Sequence, residues 1–285
     1  MSARGRFLSG LVSLVIALAG LVTVGALPAA ATNSGTVQYV ALGDSYAAGQ
    51  GAPPYLNDCL QSNKGYPGLL DSEKRIHLRA NEACTGATIS DVANTQLSAL
   101  NRGTRLVTLT VGATELNVSA VATACLTGTL EACQREIARV QLLLGVCPED
   151  PEDPSALDSP LTDLYAQLVN AAPNALVVVT GYPQLFELIP PNEDIKTAIN
   201  DATTALNCVI ERAVTATEKA TGADIVYVDV TSRFMGHGIG SPVSFINATG
   251  LDAFHPNAAG YLFGYTAAIS AELPPAWLAG QTQLV

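Results

Sequence analysis

The chain is short of positive charge, of histidine and of closely spaced cysteines, and each shortage closes off a class of function. Lysine and arginine number 14 against 25 aspartate and glutamate, a formal charge of −11. Such a surface repels phosphate backbones and anionic lipid headgroups, so nucleic acid is not an expected partner. The six cysteines include no CxxC pair, the usual spacing of a structural zinc site, and none lies beside a histidine motif as a thiol nucleophile would. There are only three histidines, His77, His237 and His255. Any chemistry that needs a neutral base at physiological pH therefore has three candidates. No internal repeat or long low-complexity tract breaks the 285 residues, and their 48% hydrophobic content is ample for one well-buried domain.

The N-terminus reads as an export leader. Arg4 and Arg6 precede a mostly apolar run from Phe7 to Leu27, and Ala29-Ala30-Ala31 offers small residues for a peptidase. The rival reading is an uncleaved anchor, since the run is nearly long enough to span a bilayer. Cleavage is favoured by the alanines after Pro28. Residues 1–31 are thus expected to be a signal peptide and 32–285 a single catalytic domain, secreted or wall-associated and not stably inserted in a membrane. Loss of Arg4 and Arg6 leaves 12 basic residues against 25 acidic, or −13. Six cysteines in an exported chain suggest disulfides. The simplest pairing is sequential: Cys59–Cys84, Cys125–Cys133 and Cys147–Cys208.

Five apolar runs read as strands: 37–42, 76–83 (the weakest), 106–111, 175–180 and 225–228. Helical patterns lie between and after them at 89–100, 130–144, 161–171, 194–221 and 258–273. The acidic, proline-rich stretch 148–160 reads as a loop. Strands alternating with helices predict a parallel sheet covered on both faces, with reactive groups beyond the strands' carboxyl ends. Three segments follow strands directly: Gly43-Asp44-Ser45, Gly112-Ala113-Thr114-Glu115 and Gly181-Tyr182-Pro183.

A serine after a strand is usually a turn or cap residue, and its hydroxyl is a poor nucleophile until a base takes its proton. His255, in Leu251-Asp252-Ala253-Phe254-His255-Pro256, can be that base. An aspartate three residues earlier can bend onto the near ring nitrogen and leave the far one for the serine. Asp252 could equally cap the helix that follows. His77, in a weak strand, and His237, in a glycine-rich loop, read as structural. Donors for a developing oxyanion are available from the backbone N–H of Ser45, from Gly86 in "ACTGATISD" and from the "VGATELN" segment. Gly86 could equally be a plain turn glycine.

"ALGDSYAAGQG", "ACTGAT", "TLTVGATELN" and "DAFHPNAAGY" occur in the order and spacing of the blocks of the GDSL, or SGNH, hydrolase family, and nearly all of the mature chain resembles secreted actinobacterial esterases and lipases. The resemblance implies a flavodoxin-like three-layer α/β/α sandwich with a central parallel sheet of about five strands. It also implies metal-free, cofactor-free hydrolysis of small-molecule or lipid carboxylic esters, here expected of a monomer. Carried over by position, Ser45 is the nucleophile, His255 the base, Asp252 its orienter, and Ser45 and Gly86 oxyanion donors. The family's third block normally reads GGND or GxND, and its asparagine donor stands where this chain has Thr114; Asn117, three residues on, is an alternative. Loss of one such donor costs about a hundred- to a thousandfold in turnover. Related enzymes also carry a cysteine in the loop that here reads Gly236 to Gly240, and its lack sets Cys147–Cys208 apart from the other pairs.

An α/β-hydrolase is disfavoured because the serine follows the first strand and the acid lies three residues from the histidine. A binding protein with decayed catalysis is supported by Thr114 and opposed by the presence of Ser45, Asp252, His255 and Gly86. On the substrate side stand Asp44 and an apolar segment, Tyr182, Leu185 and Phe186, that could wall an acyl chain or simply pack a strand–helix loop. Lipid esterase, carbohydrate deacetylase and phospholipase are not distinguished.

Overall fold

The computed structural model describes residues 35–145, 155–191 and 193–278. The expected leader and its cleavage point lie outside them, as does Cys147. Five parallel strands, β1 (Val37–Gly43), β2 (Ile76–Asn81), β3 (Leu106–Thr110), β4 (Leu176–Thr180) and β5 (Ile225–Val228), form one sheet in the order β2-β1-β3-β4-β5. Every residue of β3 and β4 is buried, which explains why these strands are apolar throughout instead of alternating.

The helices are α1 (Ser45–Ala48), α2 (Tyr66–Asp71), α3 (Ile89–Asp91), α4 (Val118–Leu126), α5 (Leu130–Leu144), α6 (Asp158–Ala171), α7 (Glu193–Thr221), α8 (Thr231–Phe234), α9 (Ala267–Glu272) and α10 (Pro275–Leu278). The helices from α4 to α7 pack in sequence, α4 on α5 and α5 and α6 on α7, while α2 and α8 pack against the turn that leads into α9. With the sheet between these two groups, the architecture is the flavodoxin-like α/β/α sandwich that the sequence resemblance implies.

The structure refines several boundaries. The helix expected over 89–100 is α3 followed by a π turn (Val92–Gln96) and a 3-10 turn (Leu97–Ala99). The expected 258–273 helix contains a π segment, Gly260–Thr266, ahead of α9. There Gly264 admits the Phe234 ring, which stands 2.2 Å from where a Cβ would lie. Helix α6 begins at Asp158, inside the stretch read as a loop, because that carboxylate takes a forked ion pair from Arg212 of α7 (2.6–2.9 Å). Helix α4 was not expected at all. It is joined to α5 by the Cys125–Cys133 disulfide, and Cys59–Cys84 is also formed. Among the described residues no helix is long and apolar enough to cross a membrane.

In this strand order the sheet's direction of growth reverses between β1 and β3, and the crevice beyond their carboxyl ends is the natural site for a ligand. Ser45 and the Gly112–Glu115 segment stand at those two ends.

Candidate active site

Strand β1 ends at Gly43 with φ 129°, and a Cβ there would lie 2.1 Å from the Thr110 carbonyl. Only glycine lets the chain turn this close to β3. Gln96 completes the turn: its side-chain oxygen accepts the Gly43 N–H (2.7 Å) and its amide donates to the Gly43 carbonyl (3.0 Å). Asp44 then caps α1, accepting the Tyr46 N–H at 2.9 Å. The other Asp44 oxygen accepts the Tyr182 hydroxyl at 2.5 Å, and that hydroxyl accepts the Ala113 N–H at 3.2 Å. Burial pushes the Asp44 carboxyl up to about 7, although these hydrogen bonds pull it down. Asp44 and Tyr182 thus fasten the ends of β1, β3 and β4 together, while Ser45 opens α1 half-buried.

Across the sequence, His255 meets Ser45. Its Nε2 lies 2.8 Å from the Ser45 Oγ. Its Nδ1 lies 3.0 Å from the Ala253 carbonyl, which only accepts, so Nδ1 carries the proton and Nε2 is free to take one. Burial lowers the His255 pKa from its ordinary value, opposed by the Ala253 bond and by the charge of Asp252.

Asp252 has a different hydrogen-bond partner in the structure from the one expected. Its carboxylate accepts from the Tyr55 hydroxyl, not from the imidazole, and that hydroxyl accepts the Gly51 N–H at 3.0 Å. The cause lies in the backbone. Phe254 adopts φ 69°, which folds the Ala253 carbonyl toward the ring. Phe254 is held there through its N–H on the Asn247 carbonyl (2.8 Å) and its carbonyl on the Tyr46 hydroxyl (2.5 Å). Nor does Asp252 cap the following helix; Asn257 accepts the N–H groups of Ala259 and Gly260.

Gly86, with φ 76°, is exposed and lines the same cavity as Ser45 and His255. Among the described residues no protein group accepts the N–H of Ser45 or of Gly86. Thr114 opens a 3-10 turn (Thr114–Leu116) and also lines the cavity. Asn117 lines it too, but its side chain caps α4 by accepting the Ala120 N–H (3.3 Å). Glu115 ties the Thr114 turn to the segment after Gly86, accepting the Ile89 N–H at 2.6 Å; burial raises its pKa.

The cavity measures about 1260 Å³. Beyond its polar mouth the walls are largely apolar, with Val121 of α4, Ile137, Val140 and Leu144 of α5, and Ala202 and Leu206 of α7; Gln141, Asp201 and Thr203 line it too. Tyr182 and Leu185 line it as well. Phe186 does not; its backbone is held by the Asn200 amide and its ring packs edge-on to Phe254, 6.1 Å between centroids. His77 stands exposed beside Asp71, and His237 stacks on Phe245 at 3.9 Å. Among the described residues no cluster of three or more His, Cys, Asp or Glu converges as metal ligands would. Sequence reasoning missed Gln50, Tyr55, Gln96 and the walls from α4, α5 and α7. The glutamines and Tyr55 carry no local signal, since the groups they bridge to, Gly43 for Gln96, Thr85 and Leu251 for Gln50 and Asp252 for Tyr55, lie far away in the sequence.

Comparison with known proteins agrees with this geometry. The family model described as GDSL-like Lipase/Acylhydrolase matches residues 41–262. The chain is 33% identical to Lipase 1 of Streptomyces coelicolor over 92% of its own length and 96% of that protein's. It is 33% identical to a lipase of Streptomyces rimosus, covering 80% and 83% of the two chains. Among solved structures, phospholipase A1 from Streptomyces albidoflavus NA297 superposes with a TM-score of 0.74 at 33% identity, over 84% of this chain and 100% of that one. The extracellular lipase of Streptomyces rimosus does so with the same TM-score at 29% identity and the same coverage.

Proposed function

The chain belongs to the GDSL-like lipase/acylhydrolase family and is a carboxylic ester hydrolase, and on that premise we propose that it is a secreted long-acyl esterase or lipase acting through an acyl-enzyme on Ser45. The observation that carries this reading is the 2.8 Å contact between His255 Nε2 and Ser45 Oγ at the mouth of the apolar cavity.

In the proposed reaction His255 Nε2 removes the Ser45 proton as Oγ attacks the ester carbonyl. The Ala253 carbonyl accepts from Nδ1–H throughout and, with the charge of Asp252 nearby, stabilises the imidazolium. Asp252 acts through space, not as the ring's hydrogen-bond partner. The oxyanion forms against the N–H groups of Ser45 and Gly86, with the Thr114 hydroxyl as third donor. His255 then protonates the departing alcohol, and water, deprotonated by the same nitrogen, cleaves the acyl-enzyme.

The cavity exceeds the roughly 300–1,000 Å³ of a typical small-molecule pocket. Its apolar walls suit a long acyl chain better than an acetyl group on a glycan. Phospholipid is the second reading, favoured by the likeness to a phospholipase A1. Export rests on the N-terminal pattern, with residues 1–31 removed, and on the likeness to an extracellular lipase.

The test is hydrolysis of nitrophenyl esters from acetyl to palmitoyl, and of phosphatidylcholine, by the mature chain beside Ser45→Ala. The expected result is activity with an optimum at medium or long chains that vanishes in the variant. Equal rates in both proteins would remove the reading in favour of a binding protein on this fold.

A further inference from the structure

Three parts of the proposed machinery arrive on separate segments: Ser45 after β1, Gly86 after β2 and His255 near the C-terminus. They must meet one carbonyl group together, and a misplacement of about 1 Å costs about a hundredfold in rate. Among the described residues no hydrogen bond runs directly between the Thr85-Gly86 segment and the Leu251–His255 loop. One side chain spans them. The Gln50 amide oxygen accepts the Thr85 hydroxyl at 2.6 Å, and the Gln50 amide nitrogen donates to the Leu251 carbonyl at 3.0 Å. Its backbone is fixed to the nucleophile turn: the Gln50 N–H donates to the Ser45 carbonyl (3.0 Å) and its carbonyl accepts the Tyr261 hydroxyl (2.7 Å). Gln50 is buried and lines the cavity between the two loops.

We propose, on the Ser45 reading above, that Gln50 is a positioning residue whose amide sets the Gly86 N–H and the His255 ring at their working places around Ser45. The job needs one acceptor and one donor on the same short arm, which an amide supplies. A carboxylate offers only acceptors and would face the Leu251 carbonyl without a proton between them. The coarse position of each loop is held by other groups. Cys59–Cys84 and the Thr85 N–H on the Cys59 carbonyl (3.1 Å) hold one; Asn247, donating to the Gly51 and His255 carbonyls (2.9 and 3.2 Å), holds the other. Removal of the amide should therefore loosen alignment and leave the fold intact.

The experiment measures kcat and KM on a nitrophenyl octanoate for the wild type, Gln50→Leu, Thr85→Val and the double variant. Each value is normalised to the sites that react with a nitrophenyl phosphonate. Gln50→Leu is expected to lower kcat per titrated site about ten- to a hundredfold, with KM changed less than about threefold, because the acyl walls are untouched. Thr85→Val removes one arm and is expected to lower it less. The double variant should be no worse than Gln50→Leu, since both changes break one linkage. A purely structural role would reduce the number of titratable sites and leave kcat per site unchanged; that result, or additive losses, would overturn the proposal. If Gln50→Leu does not fold, Thr85→Val decides, and an unchanged kcat per site there refutes it. A wild type that fails to titrate while hydrolysing esters counts against Ser45 as the nucleophile, which is a separate failure.

Discussion

Replacement of Asp252 should cost this enzyme little. In a triad whose aspartate holds the imidazole, changing that acid to its amide lowers kcat by about 10⁴. Here the ring's Nδ1 is already bonded to the Ala253 carbonyl, and the Asp252 carboxylate is taken by Tyr55. What Asp252 gives His255 is a through-space charge effect, smaller than burial or the Ala253 bond. Asp252 is only half-buried, so solvent screens that effect. An exposed or half-exposed charge pair is worth about 1 kcal/mol or less, which is about fivefold in rate. Asp252→Asn is therefore expected to retain kcat within about tenfold, measured on nitrophenyl octanoate and normalised to sites titrated by phosphonate. Because Asp252 raises the His255 pKa, its removal should also move the acid limb of the pH profile to lower pH. A loss of about a thousandfold or more, with full titration and an unchanged Tm, would instead show that the carboxylate reaches the imidazole during turnover.

Other expectations follow from the same geometry. Burial lowers the His255 pKa, so the neutral base persists below the ordinary histidine range of about 6.5 and the acid limb of kcat should fall below that value; a limb at or above 7 contradicts this. Thr114→Val should lower kcat about a hundredfold if the hydroxyl is the third oxyanion donor, and an unchanged kcat would remove it from that role. Ala202→Phe, on the α7 wall, should shift the acyl-length optimum toward shorter esters with little change on acetyl ester; an unshifted optimum would put the acyl chain elsewhere. Cys59→Ala with Cys84→Ala opens a loop of sequence separation 25 and should lower stability by about 3 kcal/mol, read from chemical denaturation; an unchanged midpoint would contradict that figure.

The sheet was legible because three of its five strands, β1, β3 and β4, are largely apolar runs buried almost throughout, and burial of that kind leaves its mark in sequence. That Ser45 and His255 meet was legible from the combination of a serine after the first strand with an aspartate and histidine near the end, not from either local setting alone. The direction of Asp252 was not. It depends on a positive φ at Phe254, a bulky residue that carries no local sign of it, and on Tyr55, nearly 200 positions away. Helix α4 was hidden for a different reason. It starts from Asn117 in a left-handed conformation and is short and apolar along its length, without the polar face that marks a surface helix. With it the cavity stayed hidden, since its walls come from α4, α5 and α7 and not chiefly from the segment around Tyr182.

Attack on the substrate by Ser45, activated by His255, is the step on which the proposed function rests. Its most direct test is to inactivate the mature protein with a nitrophenyl phosphonate and map the adduct by mass spectrometry. One adduct per chain is expected, on the peptide containing Ser45, formed in step with loss of esterase activity and absent from Ser45→Ala. An adduct on another residue, or ester hydrolysis that continues in fully unlabelled Ser45→Ala, would contradict it.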